Sequence, residues 1–93
     1  MVQGRWLRVT VLRRPNEEPI RLGVVTSRRV GGAVQRNRTR RRLREIFRAR
    51  RDEFIPGVWL VVVAKPGAAE APFSELREEW LRLVKRLSIL RDP

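Results

Sequence analysis

The chain contains no cysteine, no histidine and no tyrosine. Without cysteine there is neither a disulfide framework nor a thiolate metal site. Without histidine, the commonest general base and the commonest nitrogen ligand for a metal are both missing. Acids are scarce as well, ten Asp and Glu against 22 Lys and Arg. Most of them stand among arginines on helical stretches or in the loop Asn16–Glu17–Glu18, and no DxD or comparable ligand cluster occurs. These gaps argue against metal-dependent hydrolysis by the chain on its own and leave no candidate catalytic or metal-ligating residue. No apolar run reaches transmembrane length, and MVQGRWLRV at the N-terminus lacks the form of a signal peptide. The expectation is a soluble, cytoplasmic protein with no membrane contact.

What is abundant is arginine. The 93 residues suffice for one small domain with a single core, and 42% apolar against 34% charged residues is a globular balance. A net charge of +12 and a pI near 11.9 point to a polyanionic partner, nucleic acid first. The segment Arg28–Arg51, RRVGGAVQRNRTRRRLREIFRARR, holds eleven arginines and one acid, Glu45, and so carries ten of the twelve net charges. A solvated helix face normally mixes signs, whereas a block of one sign repels itself unless an anion neutralises it. Arginine rather than lysine suits bidentate phosphate contact and stacking on bases. If about eight of these residues meet phosphates, log K for binding falls against log[salt] with a slope of roughly −6 to −7.

Along the chain, RWLRVTVLR (5–13) alternates Trp6, Arg8 and Thr10 against Leu7, Val9 and Val11, which predicts a strand with one inward face. RPNEEP (14–19) reads as a turn, and IRLGVVTS (20–27) as the second strand of a hairpin. Gly23 within it points to a bulge or to close approach of another backbone. Val30–Gly31–Gly32 is a break, after which Leu43, Ile46, Phe47 and Phe54 share one face of a helical pattern. Asn37, Arg41, Arg44 and Arg48 form a stripe away from that face, at spacings of four, three and four. Arg36 falls on the Leu43 side, where the helix either overhangs the sheet or lets Arg36 line a cleft. After Pro56–Gly57, VWLVVVAK (58–65) reads as a strand buried on both faces, and PGAAEAP (66–72) as a flexible loop. From about Ser74 to Leu90 an amphipathic helix aligns Leu76, Trp80, Leu83, Leu87 and Leu90, with Ser74 as N-cap. Glu75, Glu78 and Glu79 lie early in it and Arg82, Lys85 and Arg86 late, as the helix dipole favours.

The order strand, strand, basic helix, strand, helix gives an α+β fold, a small mixed β-sheet packed with helices in a single basic, RNA- or DNA-binding domain over 1–93. Strands 20–27 and 58–65 flank one helix and suit parallel pairing, which the general rule makes a right-handed crossover. Among the tryptophans, Trp80 belongs to the core, Trp59 faces either side of its strand, and Trp6 is the best candidate for stacking on a base. Gly31 and Gly32 are either a plain break or an entry that lets phosphate approach the helix N-terminus. At this level a structural, ribosomal-type RNA-binding protein and a basic DNA-binding domain remain alternatives, the latter without a helix-turn-helix or ribbon signature.

The motif over 21–48, RLGVVTSRRVGGAVQRNRTRRRLREIFR, closely resembles the signature of the bacterial ribonuclease P protein subunit. That pattern is a strand ending in paired basic residues, then V-G-x-A-V, R-N-R, K/R-R and L-R-E. Its counterparts are Arg28–Arg29, Val30 to Val34, Arg36–Asn37–Arg38, Arg40–Arg41 and Leu43–Arg44–Glu45. GVWLVVVAKP and the basic, leucine-rich last helix resemble the family's closing strand and helix, so the match runs in order over 5–90. The resemblance implies an endoribonuclease complex that removes the 5′ leader from precursor tRNA. It implies a catalytic RNA subunit that holds the Mg²⁺ ions, and a protein that binds that RNA, contacts the leader and strengthens substrate and metal binding as one monomer per RNA. It further implies an α/β sandwich of the ribosomal-protein-S5-domain-2-like type with a left-handed parallel crossover, against the general rule.

The RNA-binding set implied in this way is Arg28, Arg29, Arg36, Asn37, Arg38, Arg40, Arg41, Arg44 and Arg48, with the R-N-R helix facing the catalytic RNA. Two departures stand out. Thr39 occupies a position where the family usually has an aliphatic residue, which weakens packing of the helix's first half. Family members also normally begin with a further helix and a short strand ahead of residue 5, and that helix supplies aromatics to the cleft that receives the leader. The chain starts too late to contain the helix, so part of the sheet and cleft is expected to lie uncovered.

Overall fold

Residues 1–14 and 18–91 are described by a computed structural model. The strands are β1 (Val2–Gln3), β2 (Leu7–Arg13), β3 (Arg21–Thr26) and β4 (Val58–Ala64), and the helices α1 (Ala33–Ala49) and α2 (Phe73–Arg86). Short 3-10 turns at Arg28–Val30 and Arg51–Glu53 bracket α1. The strand order is β1-β2-β4-β3, with β4 antiparallel to β2 and parallel to β3. This is a mixed α+β fold, a small sheet packed with helices, and the parallel pairing across α1 is as expected.

The sheet is buried on one side. Leu7 and Val9 of β2 and Val58, Leu60, Val62 and Ala64 of β4 point to the helices. α1 lies against β3, and α2 lies against β1 and β2. On the other side Arg8, Leu12, Val25 and Trp59 are exposed. β4 is therefore not buried on both faces: its unbroken apolar run serves one closed face and one half-covered face, where Val61 and Val63 are only partly shielded.

Two strand assignments change. β2 and β3 do not form a hairpin, because β4 inserts between them and pairs with both in continuous register. The turn expected over 14–19 falls largely at Pro15, Asn16 and Glu17, outside the described residues. Gly23 makes no bulge; it keeps register opposite Val61, and the Trp59 indole lies over it, with Nε1 3.5 Å from where a Cβ would stand.

The core of the helical layer is aromatic. Phe47 lies 5.6 Å from Phe54 and 6.3 Å from Trp80, the latter pair edge to face. Such pairs add about 0.5–1.5 kcal/mol each beyond the area they bury. Leu43, Ile46 and Phe47 are buried on α1 as the periodicity requires. Phe54 joins them by another route: the helix ends at Ala49, and Phe54 is extended and bridges to Leu90. In α2, Leu76, Trp80 and Leu83 are buried as read, but the helix begins at Phe73 with Pro72 at its cap and stops at Arg86. Ser74 therefore sits inside the first turn rather than capping it. Beyond the helix, Ser88 takes a positive φ of 56°, and Ile89 is buried where the stripe favoured Leu87 and Leu90.

Candidate nucleic-acid interface

The basic helix is set by its entry. Gly31 has φ 145°, and a Cβ there would stand 2.8 Å from Gln35 Cβ, so a side chain is excluded on both counts. Gly32 is extended and provides no side-chain cap. Ahead of them Ser27 Oγ accepts from Arg29 N at 3.3 Å, closing the 3-10 turn that carries Arg28 and Arg29.

From this entry α1 presents two unlike sides. Toward the protein stand Thr39, Arg42, Leu43, Ile46 and Phe47, all buried. Toward solvent stand Asn37, Arg38, Arg41, Arg44 and Arg48, all exposed. Among the described residues no arginine of α1 has a carboxylate within 4.0 Å; the ion pairs present are Arg21–Glu18, Arg50–Glu53 and Arg82–Glu79. Helix geometry thus gathers cationic groups on one surface without internal compensation, which raises the local potential for an anion.

The expected site residues do not all converge. Asn37, Arg38 and Arg41 share a shallow groove of about 380 Å³ with Val34, an aliphatic side chain left 77% exposed in the first turn. Arg44 and Arg48 line a different groove at the far end of the helix. Arg29 turns away from both and meets Arg8 and Lys65 around a hollow of about 190 Å³ reaching the open side of the sheet. Arg36 and Arg40 are half-buried, with Arg36 Nη1 donating to Gly31 O at 3.4 Å and Arg40 Nη1 to Asn37 Oδ1 at 3.2 Å. Arg36 thus braces the glycine entry.

One arginine of the block is structural. Arg42 is 6% exposed and donates Nη1 to Ala69 O at 3.1 Å and Nη2 to Ala71 O. Its guanidinium also lies 5.8 Å from the Phe73 ring centre. Burial, and then the neighbouring charge of Arg38, hold its pKa below the ordinary arginine value. Arg42 ties the 66–72 segment to α1, so that Ala68, Ala69 and Ala71 are buried rather than forming the flexible loop their composition suggests.

The tryptophans also redistribute. Trp80 is fully buried, as expected. Trp6 precedes β2 and is half-buried against Val30, Ala64, Ala68 and Ala69, with the Arg5 guanidinium 5.0 Å from its ring centre. Trp59 is the more available ring, 38% exposed on the open side of the sheet with Arg14 at 5.7 Å. The alternation that grouped Trp6 with Arg8 and Thr10 does not hold for it, since Trp6 lies before β2 and packs on the helix side against Ala64. Trp59, by contrast, shares the open side with its register partner Leu12. No three His, Cys, Asp or Glu side chains come together among the described residues, and no helix there is long and apolar enough to cross a membrane.

Comparison with known proteins agrees with this architecture. The family profile described as Ribonuclease P matches residues 1–88. The ribonuclease P protein component of Thermus scotoductus is 42% identical over 91 residues, covering 98% of this chain and 52% of the relative. That of Symbiobacterium thermophilum is 38% identical over 90 residues, covering 97% of this chain and 78% of the relative. The chain spans about half to two thirds of the length of most curated relatives it matches. Among solved structures, the RNase P protein from Thermotoga maritima superposes with a TM-score of 0.81 at 31% identity, covering 91% of this chain and 80% of that one.

Proposed function

This chain belongs to the ribonuclease P protein family, and from that premise we propose that it is the RNA-binding subunit of ribonuclease P, which assists a catalytic RNA in removing the 5′ leader from precursor tRNA by endonucleolytic cleavage. The observation that carries the reading is the outer surface of α1, where Asn37, Arg38, Arg41, Arg44 and Arg48 are exposed with no carboxylate within 4.0 Å of an arginine among the described residues. Guanidinium groups in a row present positive charge to phosphodiesters, each of which a guanidinium binds through paired N–H donors. Arg28, Arg29, Arg36 and Arg40 complete the RNA-binding set, the first two at the approach to the helix and the last two from half-buried positions.

Phosphodiester hydrolysis in this complex is the work of the RNA. Mg²⁺ supplies the Lewis acid and is held by the catalytic RNA and the substrate. The residues of this chain do not suit it, since the proposed surface is lined with guanidiniums that repel a divalent cation. Their contribution is to offset phosphate repulsion where the two RNAs meet, which strengthens substrate binding and lets metal bind at lower concentration. The protein acts as a monomer, one per RNA, in the cytoplasm, and its single domain extends over 1–93. Its β3–α1–β4 unit is a left-handed parallel crossover in an α/β sandwich of the ribosomal-protein-S5-domain-2-like type, a proposal that rests on family membership together with the parallel pairing of β3 with β4.

The test is reconstitution. Adding the folded chain to a cognate catalytic RNA is expected to raise precursor-tRNA cleavage at low Mg²⁺. Absence of stimulation under those conditions would overturn the reading, and preferential binding to ribosomal RNA would replace it with a structural role.

A further inference from the structure

Beyond the outer face of α1, a strongly cationic hollow lies between that helix and the edge of the sheet. A groove of about 300 Å³ is bordered by Arg21 from β3, Arg44 and Arg48 from α1, and Arg51 from the turn that follows. Its floor is apolar, made by Ile20, Leu22 and Phe47. Among the described residues no carboxylate lines it. Arg44, Arg48 and Arg51 gather like charge around the cavity. Arg21 stands at its rim, because its register with Trp59 sends its side chain out at the open side of the strand edge. The nearby acids do little to relieve this charge. Glu18 reaches Arg21 only at 3.9 Å between well-exposed side chains, and Glu53 is engaged by Arg50 at 3.4 Å. Exposed pairs of this kind contribute at most about 1 kcal/mol.

A second observation concerns the strand itself. β3 ends the sheet, with β4 on one side and no strand on the other among the described residues. Its outer edge presents backbone N–H groups beside the arginines. A cationic side chain on an edge strand also serves to block strand pairing, and one arginine would be enough for that. Four arginines from three elements over an apolar floor exceed that need.

We propose that this groove is a second contact for RNA, which seats a sugar–phosphate segment with Arg21 and Arg51, neither of them in the expected RNA-binding set, as phosphate ligands. The proposal rests on the function argued above and extends it. Arg44 and Arg48 belong to both the outer stripe and the groove, so one RNA strand can leave the outer face of α1, round its C-terminal end and run along β3. Phosphates meet Arg44, Arg48 and Arg51 and the free edge amides, with Arg21 reached around the strand edge, while the ribose lies on Ile20, Leu22 and Phe47. The segment belongs either to the catalytic RNA or to precursor tRNA, since both offer the same backbone chemistry.

The experiment compares the double variant Arg21→Gln/Arg51→Gln with Arg41→Gln and the unaltered protein. Binding to catalytic RNA alone, and of precursor tRNA to the assembled holoenzyme, is measured across a salt series. Loss of two phosphate contacts is expected to make the log K against log[salt] slope shallower by about two. A change in the first measurement assigns the groove to the catalytic RNA, and a change confined to the second assigns it to precursor tRNA. Unaltered slopes in both overturn the proposal while Arg41→Gln still weakens binding. If Arg41→Gln is also without effect, the function itself is in error and the groove falls with it. A photocrosslinker on Arg21→Cys, in a chain with no other cysteine, gives an independent readout should the double variant fold poorly. It is expected to attach to RNA in the holoenzyme, and no attachment would likewise overturn the assignment.

Discussion

The Glu79 carboxylate occupies the space that a side chain at Gly4 would need, and an added Cβ there would lie 2.5 Å from Glu79 Cδ. Glu79 is 2% exposed and accepts from three successive amides, Arg5 N at 2.7 Å and Trp6 N and Leu7 N at 2.8 Å each. An acid from α2 thus caps the start of β2. Charge-assisted bonds of this kind contribute about 1.5–3 kcal/mol each, with losses not additive. Glu79→Gln keeps one acceptor and loses the charge, and is expected to lower unfolding stability by about 2–4 kcal/mol in a denaturant titration. Gly4→Ala displaces the same carboxylate, at about 1–3 kcal/mol. The double variant should cost clearly less than the sum, because both changes break one arrangement. Full additivity would show that the two residues act separately.

Adjacent arginines should behave in opposite ways. Arg41 is exposed, and Arg41→Ala is expected to make the salt dependence of RNA binding shallower by about one, with thermal unfolding unchanged. Arg42 is buried on the carbonyls of Ala69 and Ala71, and Arg42→Ala leaves both without a donor. That change is expected to cost about 2–4 kcal/mol of stability with the salt slope of the folded fraction preserved. Arg42→Lys should rescue little, since an ammonium on a single stem does not reproduce the fork that spans two carbonyls. The pattern is checked by measuring melting temperature and affinity on the same preparations.

Much of this was legible because it is local. The 3.6-residue period of Leu43, Ile46 and Phe47 placed the core face of α1, and the spacing of Asn37, Arg41, Arg44 and Arg48 placed them on its exposed side. What was misread depends on distant partners. Nothing in residues 7–26 says that β4 will come between β2 and β3, since each strand carries enough apolar side chains for either neighbour. Phe54 kept the helical spacing from Phe47 by coincidence and reaches it through a turn. Glu79 looked like a charge placed for the helix dipole, and its actual partners lie 72 to 74 residues away. The arginine block concealed a structural member because Arg42 differs from Arg41 only in helical phase. Arg21 is a lone charge on a strand in the sequence, and only the packing of the edge strand β3 beside α1 puts it at the rim of the groove that Arg44 and Arg48 line.

Gly31 links backbone conformation to the approach of the basic helix. Gly31→Ala is expected to destabilise the fold by about 1–3 kcal/mol, because φ 145° is costly for any side chain and because the new Cβ meets Gln35. Gln35→Ala in the same chain removes the contacts with Cγ and Cδ but keeps the Cβ at 2.8 Å, so it should recover only a small part of the loss. A second change that recovered everything would show that the conformation itself is tolerated there. Far-UV circular dichroism across a thermal ramp separates the three variants.

Thr39 tests how closely the first half of α1 is packed. Its side chain is fully buried, although the family resemblance puts an aliphatic residue at this position, and its hydroxyl donates to the Gln35 carbonyl at 2.8 Å. That carbonyl already accepts within the helix, so the extra bond satisfies the hydroxyl more than it stabilises the turn. Valine has nearly the same shape and needs no partner. Thr39→Val is therefore expected to leave stability within about 1 kcal/mol of the unaltered protein, with any change toward greater stability. RNA affinity and its salt slope should not move, because Thr39 points away from the exposed arginines. A loss of more than about 2 kcal/mol in a urea titration would show that the hydroxyl holds the helix in a way its single bond does not explain.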